Sequence, residues 1–214
     1  VCTVTELIRQ GVFDPEDPYA ELDMADVGTD EAKRISLEMS RESNVLLKNE
    51  NGTLPLRRGA KVALFGKATI DYVKGGGGSG DVTVPYVRNL YDGFCELIGK
   101  EAVYPGTVDY YREYVAAQYA EHWLPGMLAE PPVPEELPAE ARAFTDTAVI
   151  SISRFSGEGW DRKSPRARIT RKEPVTEDAV SMSDVLFEKG DFYLSEAERR
   201  MVETVCGTFE KKSV

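Results

Sequence analysis

Histidine and cysteine are scarce in this chain, and the shortage narrows its chemistry. There is one histidine, His122, in 214 residues. A histidine-based metal site or a Ser-His-Asp triad therefore has little to draw on, and a surface or packing role suits His122 better. The three cysteines, Cys2, Cys95 and Cys206, are odd in number and far apart. None has CxxC spacing, which argues against a zinc site or a thioredoxin-like motif. Such thiols are expected of a reducing compartment, so a cytoplasmic location is expected. Basic charge is also short: 26 Lys plus Arg stand against 37 Asp plus Glu, a net charge of −11. Bulk attraction to nucleic acid or to an anionic membrane is excluded on that balance. No apolar run approaches the roughly 18 residues of a membrane-spanning helix. The N-terminus has no basic segment leading into an apolar stretch, so no signal peptide is expected. The first residue is Val1 rather than Met, which leaves room for a segment upstream.

What is present is the material of an ordinary globular domain, with 42% hydrophobic and 29% charged residues. Residues 1–28 read as a linker arm. Val4, Leu7 and Ile8 have helical spacing up to Gly11, and Pro15 and Pro18 then break regular structure. Residues 29–214 read as one α/β domain. Thr29 or Asp30 caps a helix whose apolar face holds Ile35 and Met39. Lys61 to Gly66 is a short apolar run, expected as a buried parallel strand. Pro85 is expected to open a helix with Val87, Leu90, Tyr91, Phe94, Leu97 and Ile98 on one face. Ala102 to Tyr104 is a second strand candidate, and a helix carrying Val108, Tyr111, Val115 and Tyr119 follows, its aromatics expected in the core.

Pro125 to Pro138 reads as a surface loop. A short helix over Ala139 to Phe144 leads to a strand over Ala148 to Ser153. Lys163 to Gly190 reads as a long polar insertion. Ser195 and Glu198 form a capping box for a helix carrying Met201, Val202, Val205, Cys206 and Phe209, and the next strand is due at Lys211. Alternating strands and helices imply an open, mostly parallel sheet flanked by helices, an α/β sandwich incomplete at its C-terminus.

Ligands in such sheets bind beyond the carboxyl ends of the strands. Two loops occupy that position. The first contains Gly75, Gly77 and Gly80, a GxGxxG match, with Ser79 among them. It lies about nine residues past its strand and does not open a helix directly, unlike a dinucleotide fingerprint. A phosphate loop, a flexible surface turn and a bare backbone that lets a polyol approach closely, with Ser79 offering a hydroxyl, all remain open. The second loop sets Glu158 between Gly157 and Gly159, with Phe155 and Trp160 nearby. Partial desolvation by those rings would raise the carboxyl pKa toward that of a general acid. A solvated turn glutamate is the alternative, with Asp161 and Arg162 as a local ion pair. No acid spacing suits calcium, and no metal site is expected.

Four stretches resemble glycoside hydrolase family 3, the β-glucosidase-type enzymes. They are Gly11-Val12-Phe13-Asp14 with Pro18-Tyr19; Ser43 to Glu50 with Leu54-Pro55-Leu56; Val62 to Gly66 with Gly76 to Gly80; and Ile152 to Gly159 with Asp161-Arg162, followed by Gly190 to Ser195. Their order and spacing agree over nearly the whole chain. The resemblance implies retaining hydrolysis of terminal β-linked sugars, without metal or organic cofactor. It implies a nucleophilic aspartate on a (β/α)8 barrel absent from this chain, and an acid/base glutamate on the α/β-sandwich domain, matched here by Glu158. Ser79 matches the serine that contacts sugar. The implied partners are a carbohydrate substrate and the missing barrel, and the chain alone is expected to be inactive. The insertion at Lys163 to Gly190 is longer and more charged than the family's usual loop. A non-catalytic carbohydrate-binding or assembly module of the same fold is the alternative.

Overall fold

The computed structural model describes residues 2–16, 19–50, 52–75, 78–80, 82–121, 128–155, 187, 189–190 and 192–213. The chain divides into two compact units, Val1–Glu50 and Asn51–Val214.

The first unit holds helices α1 (Cys2–Arg9) and α2 (Asp30–Glu42). Thr29 caps α2 by accepting from the Ala32 N–H at 3.2 Å. Arg34 reaches one turn each way, to Glu31 at 2.7 Å and Glu38 at 3.0 Å, and these exposed pairs favour the helix modestly.

The second unit contains β1 (Ala63–Phe65), α3 (Leu90–Ile98), α4 (Pro105–Ala120), α5 (Leu137–Phe144), β2 (Thr147–Ile150), α6 (Glu196–Thr208) and β3 (Lys211–Ser213). The strands form a parallel sheet in the order β1-β2-β3. Ala63 pairs with Ala148, Phe65 with Ile150, and Thr147 with Lys211. Period-two alternation gives the sheet two apolar faces. Ala63, Phe65, Ala148 and Ile150 pack on one side with Ala141 of α5 and Met201 and Val205 of α6. Val62 and Leu64 pack on the other with Val108 of α4 and with Tyr91 and Phe94 of α3. The Phe65 and Phe209 rings meet edge to face at 5.8 Å. The architecture is the α/β sandwich that the alternation of strands and helices implies.

Three details depart from the sequence pattern. Helix α3 begins at Leu90, not Pro85, because Asn89 and Asp92 form a reciprocal capping box at 2.8 and 3.2 Å. Leu97 stands 85% exposed, off the face on which Tyr91, Phe94 and Ile98 pack. Ala102 to Tyr104 contributes only a bridge from Val103 to Val62, since Pro105 starts α4 at once. The described part of the proline-rich loop is packed rather than free: Leu128 and Glu130 are buried. Tyrosines one turn apart on α4 hold it, Tyr114 donating to the Ala129 carbonyl at 2.9 Å and Tyr110 to that of Pro132. Residues 122–127, including His122, and nearly all of the 163–190 insertion lie outside the described residues.

Candidate active site

The carboxyl ends of β1 and β2 lie side by side, and each hands the chain to one of the two loops. After Phe65 the chain turns sharply at Gly66, whose φ is 97°. A side chain there would collide with Ser151, at the end of β2. The missing Cβ thus lets the two strand ends approach. Ser151 closes the junction by donating its N–H to the Phe65 carbonyl at 2.8 Å. Its Oγ lies 3.2 Å from Thr69 Oγ1 and 3.0 Å from the Phe65 carbonyl.

The β1 exit continues as a 3-10 turn, Lys67–Thr69. One buried carboxyl group, that of Glu130, holds this turn, and another, that of Asp71, follows it. Glu130 accepts from the Lys67 N–H with both oxygens, at 3.2 and 3.1 Å. Burial pushes its carboxyl up to about 7, against the opposing pull of that hydrogen bond and the Lys67 charge. Asp71 accepts from the Tyr119 hydroxyl at 2.5 Å. Its Oδ2 is buried without a hydrogen-bond partner among the described residues. Burial, reinforced by Asp71, pushes the Tyr119 hydroxyl well above the usual phenol range. Lys67 is itself buried, and its ammonium donates to Ser153 Oγ at 3.5 Å.

The β2 exit is Ser151 to Phe155. Arg154 forms a fork with Glu198 of α6, at 2.5 and 2.7 Å, both side chains largely withdrawn from solvent. Tyr72, Val73 and Gly75 from the first exit and Ser153, Arg154 and Phe155 from the second line one cleft of about 280 Å³. Gly75 opens the glycine loop and Phe155 immediately precedes the Ser156 to Gly159 loop. The structure therefore brings the roots of both loops together. A second groove, about 330 Å³, shares Tyr72 and Val73 and extends past Gly80 to Tyr86 and Arg88. The Lys74 ammonium clasps the glycine loop across its base by donating to the Val82 carbonyl at 2.7 Å.

Ser79 is exposed in the turn Gly78–Gly80. Glu158 lies outside the described residues, as do Gly157, Gly159, Trp160, Asp161 and Arg162. The buried polar residues Lys67, Asp71, Glu130 and Glu198 were not singled out from sequence as parts of a site. The tyrosine pair Tyr110 and Tyr114, with hydroxyls on one helical flank, was the available signal for a packed segment around Glu130. Among the described residues no group of three or more His, Cys, Asp or Glu is placed to hold a metal ion.

Residues 44–212 match the glycosyl hydrolase family 3 C-terminal domain. The chain belongs to this family. It is 51% identical over 176 residues to β-glucosidase A of Butyrivibrio fibrisolvens, an alignment covering 82% of this chain and 21% of that one. The chain thus spans about a fifth of that relative's length. A probable exo-1,4-β-xylosidase of Aspergillus terreus is 32% identical over 108 residues, 48% of this chain and 14% of that protein. Among solved structures, β-glucosidase 3B of Thermotoga neapolitana in complex with glycerol is similar, with a TM-score of 0.63 and 30% identity over 84% of this chain and 22% of that one. Family membership supports a glycosidase-related role and agrees with the parallel α/β architecture.

Proposed function

We propose that this chain forms the acid/base half of a retaining β-glycosidase and acts together with a nucleophile-bearing (β/α)8 barrel. The observation that carries the proposal is the shared cleft. Gly75 and Phe155 root a glycine loop and a Gly-Glu-Gly loop at one edge of a parallel sheet, the position where such sheets take ligands, in a chain of this family. Ser79 donates or accepts a hydrogen bond at a sugar hydroxyl. Glu158 is the acid/base. In the first step its carboxyl gives a proton to the glycosidic oxygen while an aspartate of the barrel attacks the anomeric carbon. The aglycone leaves as an alcohol and a glycosyl ester forms. In the second step the Glu158 carboxylate takes a proton from water as that water's oxygen displaces the aspartate. The two carboxyl groups must come within about 5–5.5 Å of each other for this outcome. The substrate is a terminal β-linked sugar, and the 214-residue chain on its own is inactive. The enzyme works in the cytoplasm, in keeping with its sparse, odd set of cysteines.

The test is Glu158→Ala in the enzyme containing the barrel. Aryl β-glucosides with poor leaving groups should lose far more turnover than those with good ones. Azide should restore turnover by replacing the base-activated water. Equal losses without azide rescue would remove Glu158 from the chemistry. Turnover of an aryl β-glucoside by the purified chain alone would overturn its dependence on the barrel.

A further inference from the structure

We infer that Arg154 and Glu198 are positioning residues for the acid/base loop, gripping both of its ends in one buried fork. The inference rests on the assignment of Glu158 above and goes beyond it.

Among the described residues Arg154 donates to Ser153, to Tyr193 and to Glu198, on separate stretches of chain. Its Nη1 donates to Glu198 Oε1 at 2.5 Å and to the Ser153 carbonyl at 2.9 Å. Its Nη2 donates to Glu198 Oε2 at 2.7 Å and to the Tyr193 carbonyl at 3.0 Å. The guanidinium also lies 4.5 Å from the centre of the Phe187 ring. Ser153 precedes the loop, whereas Phe187 and Tyr193 follow it. One side chain therefore ties together the departure and the return of residues 156–186.

Glu198 anchors this clasp to the rigid part of the fold. It is the third residue of α6, and its Oε2 also accepts from the Ser195 N–H at 2.8 Å while Ser195 Oγ accepts from the Glu198 N–H at 3.3 Å. A capping-box glutamate ordinarily sits in water, but this residue is 4% exposed. Met201 and Val205, one and two turns farther along α6, are core residues. The other side of the junction is braced too, because the Lys67 ammonium donates to Ser153 Oγ. The β1 exit, the β2 exit and the α6 N-terminus thus meet at Ser153 and Arg154.

A buried ion pair is weak evidence for stability, since an apolar replacement often serves as well. What the fork supplies is direction, because a guanidinium matches a carboxylate in only a narrow set of orientations. Arg154 is four residues from Glu158, a tether of at most about 14 Å. A tether this short limits how far the acid/base can stand from the fork, and a displacement of about 1 Å in a reacting group can cost up to a hundredfold in rate.

The experiment uses the enzyme with its barrel and compares Arg154→Lys, Glu198→Gln, the double variant and Glu158→Ala. Each is assayed with 2,4-dinitrophenyl and methyl β-glucosides. Arg154→Lys keeps the charge and the stem and removes only the fork, so it decides the question if Glu198→Gln does not fold. It should lower kcat/KM for the methyl glucoside roughly tenfold more than for the dinitrophenyl glucoside, because only the former needs a well-placed acid. The double variant should lose no more than the worse single one, as expected of residues acting through one contact. If Arg154→Lys lowers both substrates by the same factor, or neither, the inference falls while a leaving-group effect in Glu158→Ala preserves the acid/base assignment. If Glu158→Ala also shows no leaving-group effect, the assignment itself falls.

Discussion

A Cβ placed on Gly66 would stand 2.1 Å from the carbonyl oxygen of Ser151. That oxygen belongs to backbone at the end of β2, so it cannot swing aside as a side chain can. Gly66 also has a φ of 97°, in a region that L residues rarely adopt. Steric overlap and backbone strain act together, and Gly66→Ala should lower the stability of the chain by roughly 3 kcal/mol or more. Urea unfolding followed by circular dichroism measures this. A loss under about 0.5 kcal/mol would mean that the strand ends do not approach as described.

Glu130 makes the second unit sensitive to pH. Its carboxyl keeps its proton up to about 7 in the folded chain and loses it near 4.5 once exposed. Between those values the folded state binds more protons than the unfolded state. Stability therefore falls as pH rises through this interval and levels off above it. The contribution is on the order of 3 kcal/mol. Glu130→Gln retains an acceptor for the Lys67 N–H and cannot ionise. Its stability relative to the parent should improve steadily from pH 4.5 to pH 7.5. Parallel pH profiles for the two proteins would show that Glu130 does not titrate differently on folding.

Tyr119 supplies the hydrogen bond that Asp71 accepts, and the second Asp71 oxygen has no partner among the described residues. Tyr119→Phe would strand the whole carboxylate. The expected loss is about 1–3 kcal/mol, the desolvation cost of a buried polar group left unmade. Combining it with Asp71→Leu should recover part of that loss, because no unmet polar group then remains. A thermal melt series of the parent, the single and the double variant tests this. A double variant that is less stable than Tyr119→Phe alone would contradict it.

The elements that close locally were legible in the sequence. The Lys61 to Gly66 run announces a strand buried on both faces, and Ser195 with Glu198 announces a helix start within four residues. Asn89 and Asp92 offered a similar cue, but Pro85 obscured it. The supporting residues of the site were not legible, because their roles depend on contacts far apart in sequence. Arg154 meets Glu198 across 44 positions, and Lys67 meets Glu130 across 63. Nothing local distinguishes Glu130 from the other glutamates of its proline-rich stretch. Burial gives it its character, and burial there comes from hydroxyls on a neighbouring helix. Ser79 and Glu158 were singled out by their glycine-flanked loops past the strand ends and given roles by the family resemblance, neither of which requires knowledge of contacts.

The parallel register also has a kinetic consequence. Phe65 and Ser151, joined at the strand ends, are 86 positions apart, and β3 joins β2 only after α6 has been made. Among the described residues no pair of sheet strands is connected by a hairpin, so the β1–β2 and β2–β3 hydrogen bonds each wait for a long connection. On the ribosome α3, α4 and α5 all emerge before β1 can meet β2. The helices can form as local units while the sheet waits for long loops to close, and their closure entropy is met before the contacts that repay it. Folding should therefore be slow for a domain of this size, and the apolar β1 strand is the segment that must be shielded until β2 arrives.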